Sequence, residues 1–339
     1  MHVATPGVNE RSEPAELEST IPGKIPPGGT VVVVGSINAD TVLAMDKLPL
    51  PGETILATGS VEFLGGKGHA QALAAARFGS HCMLIGAVGD DDAARDVRAG
   101  LSEAGVDLSL LRTVREPTGR AYVSVDASGE NSIVVVPGAN ASVDALSSSD
   151  VAAIQSASVL LIQLENGTTA AFEAIRTARA AGVTVVLNAA PARAIPDDVF
   201  SSVNYLIVNE GEARQLSGSE NLDEAGGRLC RRVGTVLVTV GAGGVRVYER
   251  HVTPYIVTAE RVRVIDTTGA GDSFCGVFAA AIAQRVSVRE ACRLAVSAGT
   301  RAVQTAGNTS SIASRAQILA DVGRLALSAE ADRSSSPFE

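Results

Sequence analysis

The chain has 339 residues, 46% of them hydrophobic but only 3% aromatic, so its core must be built from Ala, Val, Leu and Ile. A formal net charge of −9, with no dense Lys/Arg stripe, argues against a nucleic-acid partner, and any anionic ligand must be held by local donors against the overall field. No apolar run reaches the roughly 20 residues of a membrane span. The four cysteines form no C-x-x-C pair and the four histidines no zinc spacing, so buried free thiols in a reducing, cytoplasmic setting are expected.

Residues 1–29 lack the apolar centre of a signal peptide and are too acidic for a transit peptide; they read as a disordered tail. The β-branched run "TVVVVGS" (30–36) predicts a buried strand. "HAQALAAARFG" predicts a helix stopped at Gly79, "HCMLIGAVG" a strand, and "DDAARDVRAGLSEAG" a helix with acids in its first turn. The alternation continues through strand "ASVLLIQ", helix "TAAFEAIRTARAAG", strands "VTVVLN" and "YLIVN", two helices, and strand "TVLVTVG". Such alternation predicts an α/β fold: a central, mainly parallel sheet flanked by helices, within a domain spanning 30–327. Two stretches, about 40–63 and 119–140, read as strands with no helix between them, and "DASGEN" carries a hairpin signal. They predict a small β-sheet, either a lid that doubles as a dimer surface or an antiparallel edge extension. Residues 328–339 read as a second tail.

The chemistry concentrates in "DTTGAGDSF" (266–274), where a glycine-rich turn opens a helix. The amides of Gly269, Ala270 and Gly271 can converge there on an anion, helped by the helix dipole. Asp272 is an acid placed in that anion hole. It can cap the helix, or it can take a proton from a hydroxyl that attacks a phosphoryl group. "FLGGKGHAQA" supplies a second glycine turn before a helix. "GSINAD" puts Asn38 and Asp40 beyond the first strand, where open α/β sheets bind ligands; an Asx turn is the plainer reading. Glu165 follows another strand in "QLE", and Asn209, Glu210 and Glu212 follow a third in "VNEGE". Several polar clusters at strand ends imply one rim and one site.

With "GSINAD", "LPLPGET", "GGKG", "PTGRAYVSVDASGENSIVVVPGAN", "QLE", "NAAPAR", "NEGEA" and "DTTGAGDSFCG" in that order, the chain resembles the ribokinase-like (PfkB) carbohydrate kinase family over roughly residues 31–318. The resemblance implies a ribokinase-like fold and ATP-dependent phosphorylation of ribose at its 5-hydroxyl. Asp272 matches the base, and Gly269, Ala270 and Gly271 match the anion hole for the transferring phosphoryl. Asn38, Asp40, Gly66, Lys67 and Glu165 match sugar-binding positions. Asn209 and Glu212 match a motif that organises phosphate and Mg²⁺, the latter mostly through water. Thr239, Gly241 and Gly244 match nucleotide-binding positions. Asp266, Thr268, Ala302, Gly307 and Ser311 resemble a loop that favours K⁺. The family also implies a homodimer built through the lid. A kinase for another sugar or a nucleoside, or a non-catalytic sugar sensor, are the alternatives, and the intact Asp272 with its glycine turn favours the enzyme.

The match departs at "GGKGHAQA", where the family usually reads "GGKGANQA". The Asn expected to bond the sugar is Ala70. His69 takes a normally small position and is expected to face solvent or pack beside the lid, unless it replaces the missing sugar contact. "NAAPAR" in place of "NPAPAR" is a smaller change.

Overall fold

Uninterrupted β-branched runs become the buried strands, and Ala-rich segments become the helices that cover them. In a computed structural model, which describes residues 28–307 and 309–334, strands β1 (Thr30–Val34), β2 (Asn38–Ala44) and β3 (Gly59–Gly65) precede helix α1 (Lys67–Arg77), strand β4 (His81–Val88) and helix α2 (Asp92–Glu103). Next come β5 (Leu111–Thr113), β6 (Gly119–Val125), β7 (Asn131–Val136), α3 (Ser148–Ser156), β8 (Val159–Ile162) and α4 (Thr168–Ala180). They are followed by β9 (Thr184–Asn188), α5 (Asp197–Phe200), β10 (Tyr205–Asn209), α6 (Glu210–Ser217), α7 (Leu222–Cys230), β11 (Thr235–Thr239), β12 (Val245–Glu249) and β13 (Tyr255–Val257). Helices α8 (Ala270–Ala283), α9 (Val288–Ala302) and α10 (Arg315–Ser334) complete the order.

The nine-stranded sheet runs β13-β12-β11-β10-β9-β8-β1-β4-β5. Its pairs are parallel except β11–β12 and β12–β13. Alternation along β1 sends Val31 and Val33 into a core shared with α1, α2, α8 and α9, and Val32 and Val34 into a core shared with α3, α4 and α7. Both faces are therefore covered, as a parallel sheet requires.

A separate four-stranded sheet, ordered β3-β2-β6-β7, forms the expected lid. Asp40 on β2 stands opposite Phe63 on β3 and Ala121 on β6, and Ala121 stands opposite Val135 on β7. Cross-strand partners share a face, so Val42, Val61, Val123, Ile133 and Val135 lie on the same face as Asp40.

Both tail boundaries shift. Most of the predicted N-terminal tail lies outside the described residues, but Gly28 and Gly29 already bond to Gly79 and His81 at the start of β4. At the other end α10 continues to Ser334, past the boundary at 327, because no Gly or Pro interrupts residues 328–334. Residues 335–339 of the second predicted tail lie outside the described residues.

Candidate active site

The polar residues at the strand ends meet at one rim. Asn38 follows β1, Glu165 follows β8, Asn188 ends β9, Asn209 ends β10 and Thr239 ends β11. These are C-terminal ends, where the sheet opens and helices present their unpaired N–H groups. A cleft of about 230 Å³ lies there, lined by Lys67, Asn188, Asn209, Glu212, Thr239, Thr267, Gly269, Gly271, Asp272 and Cys275, with Ala190, Ile207 and Val208 beneath.

Asp272 sits in the first turn of α8 but does not cap it: Gly269 is the N-cap, at a left-handed φ of 77°, and no side chain bonds the helix start. The capping reading is thus set aside. The carboxylate instead accepts a hydrogen bond from Gln71 Nε2 at 2.8 Å. Burial raises its affinity for a proton, the charge of Lys67 and the Gln71 bond oppose that, and Glu165 adds to it. Lys67 is held firmly protonated, chiefly by Asp272 and further by Glu165 and Glu212, against the cost of its own burial. One ammonium thus stands among three carboxylates.

Only part of the glycine turn borders the cleft. Gly269 and Gly271 border the cleft, and a Cβ at Gly271 would meet open space. Ala270 is turned aside, its N–H reaching the Thr267 carbonyl at 3.4 Å.

Of the residues expected to bind a sugar, Lys67 lines the cleft, whereas Asn38, Asp40, Gly66 and Glu165 do not. Glu165 Oε2 accepts from the Lys67 N–H at 3.1 Å and from the Ser36 hydroxyl. Gly66 has φ 88°, and a Cβ there would strike the Ser36–Asn38 backbone at 2.7–2.9 Å, so only glycine allows α1 to start this close to the end of β1. Asp40 is pushed up to about 6 by burial and by the charge of Glu165, while a backbone bond from Ala121 opposes this and Asp272 adds a smaller push. Its Oδ1 is buried without a partner among the described residues. Asn38 is buried, and its Oδ1 accepts from Asn140 Nδ2 at 2.9 Å; Asn140 also bonds both backbone groups of Ile37.

Asn209 and Glu212 form a capping box at the start of α6, each bonding the other's backbone N–H at 2.8 Å. That leaves one Glu212 oxygen outside the box on a residue lining the cleft; burial raises the Glu212 carboxyl, against the Asn209 bond and Lys67. Thr239 lines the cleft and donates to the Val208 carbonyl at 3.3 Å. Gly241 and Gly244 do not line it. Gly244 is glycine for a packing reason, since a Cβ would sit 2.0 Å from the Val257 carbonyl oxygen.

Asp266 joins two loops: its oxygens accept from the Thr268 N–H at 2.9 Å and the Gly307 N–H at 3.0 Å. Burial raises its carboxyl, but these amides outweigh burial and hold it below the usual range. The Ile265 and Asp266 amides bond the Val303 carbonyl, just past Ala302, and Ser311 is buried nearby in sequence.

His69 does not face solvent. Every residue of α1 from Gly68 to Ala75 is buried, so no side of its first two turns is exposed. Both ring nitrogens lack partners among the described residues, and burial, aided by Arg77, lowers the imidazole to about 4. Sequence reasoning also missed Gln71, Asn140 and Ser36 as site residues, and left Asn188 unassigned within "NAAPAR". Gln71 was detectable: it lies four residues after Lys67 on a helix, hence on the same face. All four cysteines are free and buried, as expected, and no helix among the described residues is long and apolar enough to cross a membrane.

An acid at a glycine-opened helix start, on the C-terminal rim of a mainly parallel sheet, is the arrangement of a small-molecule phosphotransferase of the α/β type. The profile of the pfkB family carbohydrate kinases matches residues 29–315. The chain is 36% identical over 298 residues to a ribokinase of Haemophilus influenzae, covering 86% of this chain and 97% of that one. It is 33% identical over 290 residues to a ribokinase of Bacillus subtilis, covering 85% and 97%. A solved structure of Arabidopsis thaliana ribokinase complexed with ribose and ATP superposes with a TM-score of 0.82 at 31% identity, covering 87% of this chain and 99% of that chain. The chain belongs to the pfkB family of carbohydrate kinases, and its ribokinase-like fold is the one the motifs imply.

Proposed function

We propose that this enzyme phosphorylates ribose at its 5-hydroxyl with ATP. The observation that carries the reading is Asp272, held at the start of α8 by Gln71 and faced by Lys67. Asp272 is the base that takes the hydroxyl proton; Gly271, with Gly269, forms the anion cradle for the phosphoryl group in flight. Asn38, Asp40, Gly66, Lys67 and Glu165 hold the sugar, and Asn209, Thr239 and the Gly241–Gly244 turn lie on the nucleotide side. Lys67 opposes the rise that burial and Glu165 impose on the Asp272 carboxyl, and it places a positive charge in the cleft of a negatively charged protein.

The residues present fit two cations. The free Glu212 oxygen suits a hydrated Mg²⁺, which prefers to keep its water. Asp266, ionised and clamping the 266–268 and 303–307 loops, with Thr268, Ala302, Gly307 and Ser311, offers the hard oxygen donors of a K⁺ site. When bound, these ions supply positive charge beside the phosphates.

The lid supports a homodimer. Its Asp40 face continues into an apolar patch of Val61, Ile133 and Val135, all more than half exposed. A second lid is the surface of matching shape. The free thiols and the use of ATP fit the cytoplasm.

The test is ATP consumption across a panel of sugars and nucleosides, with and without K⁺, for the wild type and Asp272→Asn. Ribose should turn over, and Asp272→Asn should keep the fold but lose about 10²- to 10⁴-fold in kcat. Inert ribose beside an active second compound would overturn the substrate; a fully active Asp272→Asn would overturn the base.

A further inference from the structure

Three buried amides, Gln71, Gln163 and Asn188, are hydrogen-bonded to one another behind Asp272. Gln71 on α1 is fully buried. Its Nε2 donates to Asp272 Oδ1 at 2.8 Å and to Asn188 Oδ1 at 3.0 Å, and its Oε1 accepts from Gln163 Nε2 at 2.7 Å. Both amide hydrogens and the carbonyl are therefore used. Turning this amide over would set its oxygen against a carboxylate and a second carbonyl, and its NH₂ against that of Gln163. Asn188 is fixed in turn, its Nδ2 donating to the Ile207 carbonyl at 3.2 Å.

We infer that Gln71 is the positioning residue of the phosphoryl-transfer step: oriented by Gln163, its amide pins Oδ1 of Asp272 and leaves Oδ2 to meet the sugar hydroxyl. The inference rests on the reading of Asp272 as the base. Helix α8 places the Asp272 backbone, but only a bond to one oxygen fixes the plane of the carboxylate. Gln163 shows that the arrangement is held at a cost. Its Oε1 is buried with no partner among the described residues, and a Cβ at Gly35 would lie 2.0 Å from it, so Gly35 makes the room. An apolar side chain at 163 would remove that unpaired oxygen but leave the buried Gln71 Oε1 without its donor. The amide there is accounted for by the donor it offers to Gln71.

The Gln71 bond also favours the ionised form of Asp272. Around that carboxylate stand Lys67 on the same helix as Gln71, Glu165 beyond β8, Asp40 on the lid and Cys275 on α8. Only Lys67 and Gln71 act to keep it ionised; burial and Glu165 act against them.

The test compares kcat as a function of pH for wild type, Gln71→Met, Gln71→Glu and Gln163→Glu, with folding followed by thermal denaturation. Gln71→Met keeps the volume and removes the donor. Its kcat should fall about 10- to 100-fold with KM for ATP little changed. The acidic limb of its kcat profile should move to higher pH by about one unit. Gln71→Glu, which sets a second carboxyl against Asp272, should move the limb further. Gln163→Glu replaces the donor that orients Gln71 and should shift the limb in the same direction, which keeps the inference testable if the Gln71 variants fail to fold. A loss of kcat with the limb unmoved would assign Gln71 to packing and overturn the inference, as would wild-type profiles. Asp272→Asn separates the two readings: if it is inactive while the amide variants behave as wild type, the base stands and the positioning role falls.

Discussion

Strands β1 and β7 are both valine runs, "TVVVV" and "NSIVVV", yet all four valines of β1 are buried and every residue of β7 is exposed. The composition that makes a strand does not by itself bury it. β1 sits mid-sheet between β4 and β8 with helices on both faces, while β7 is the edge strand of the lid and nothing in the described chain covers it. The frame is thus self-sufficient. The lid leaves an apolar face exposed and carries Asp40, whose carboxyl feels the charges of Glu165 and Asp272.

The largest expected effect tests that contrast directly. Leu161, fully buried on β8, should cost about 2–5 kcal/mol when cut to Ala, through lost burial and the cavity left behind. Val135→Ser on the lid should change unfolding free energy by less than about 0.5 kcal/mol when measured on the monomer. It should instead shift sedimentation toward monomer. Equal losses at the two sites, or unchanged self-association, would break the distinction between frame and lid.

A smaller effect comes from a flaw inside the frame. His69 is buried with two unpaired nitrogens and an imidazole lowered from 6.5 to about 4. Below pH 6.5 the unfolded chain binds a proton there and the native chain does not until about pH 4. Stability should therefore fall as pH drops from 6.5 to 4, by up to about 3 kcal/mol. Urea unfolding at pH 7 and pH 4.5 should show this loss in the wild type and a shallower one in His69→Leu. The same pH slope in both would mean that the imidazole finds a partner.

The frame was legible in the sequence because its strands are apolar runs set between helices of the right length, and burial followed from the parallel order. The lid was legible as strands, through the "DASGEN" turn and the missing helices, but its exposure was not, since exposure depends on what stands opposite. In the site, Asp272 and Lys67 were readable because the glycine turns that place them are local. Gln71 lies at helical spacing from Lys67, yet its role needs Gln163, 92 residues away, to fix its amide. For His69 the solvent-facing alternative fell, because local pattern could not tell that the first two turns of α1 are covered. The packing demand on Gly244 was not legible, because the Val257 carbonyl it makes room for comes from a neighbouring strand.

The two halves of the site should also separate in kinetics. Asp272 belongs to the frame and is proposed to serve the chemical step; Asp40 belongs to the lid and is proposed to serve sugar binding. Asp40, with a pKa of about 6 and a buried oxygen awaiting a donor, is poised to accept a sugar hydroxyl in its ionised form. Above pH 6 it is mostly ionised and binds; below, it protonates and loses an acceptor, so kcat/KM for ribose should fall as pH drops through 6. Asp40→Asn should raise KM for ribose roughly 10- to 100-fold, the worth of one buried hydrogen bond of about 1–3 kcal/mol. Its kcat should stay within a few-fold of wild type, and the pH dependence of KM near 6 should disappear. A fall in kcat as deep as that of Asp272→Asn, with KM unmoved, would place Asp40 in the chemical step and dissolve the division between lid and frame.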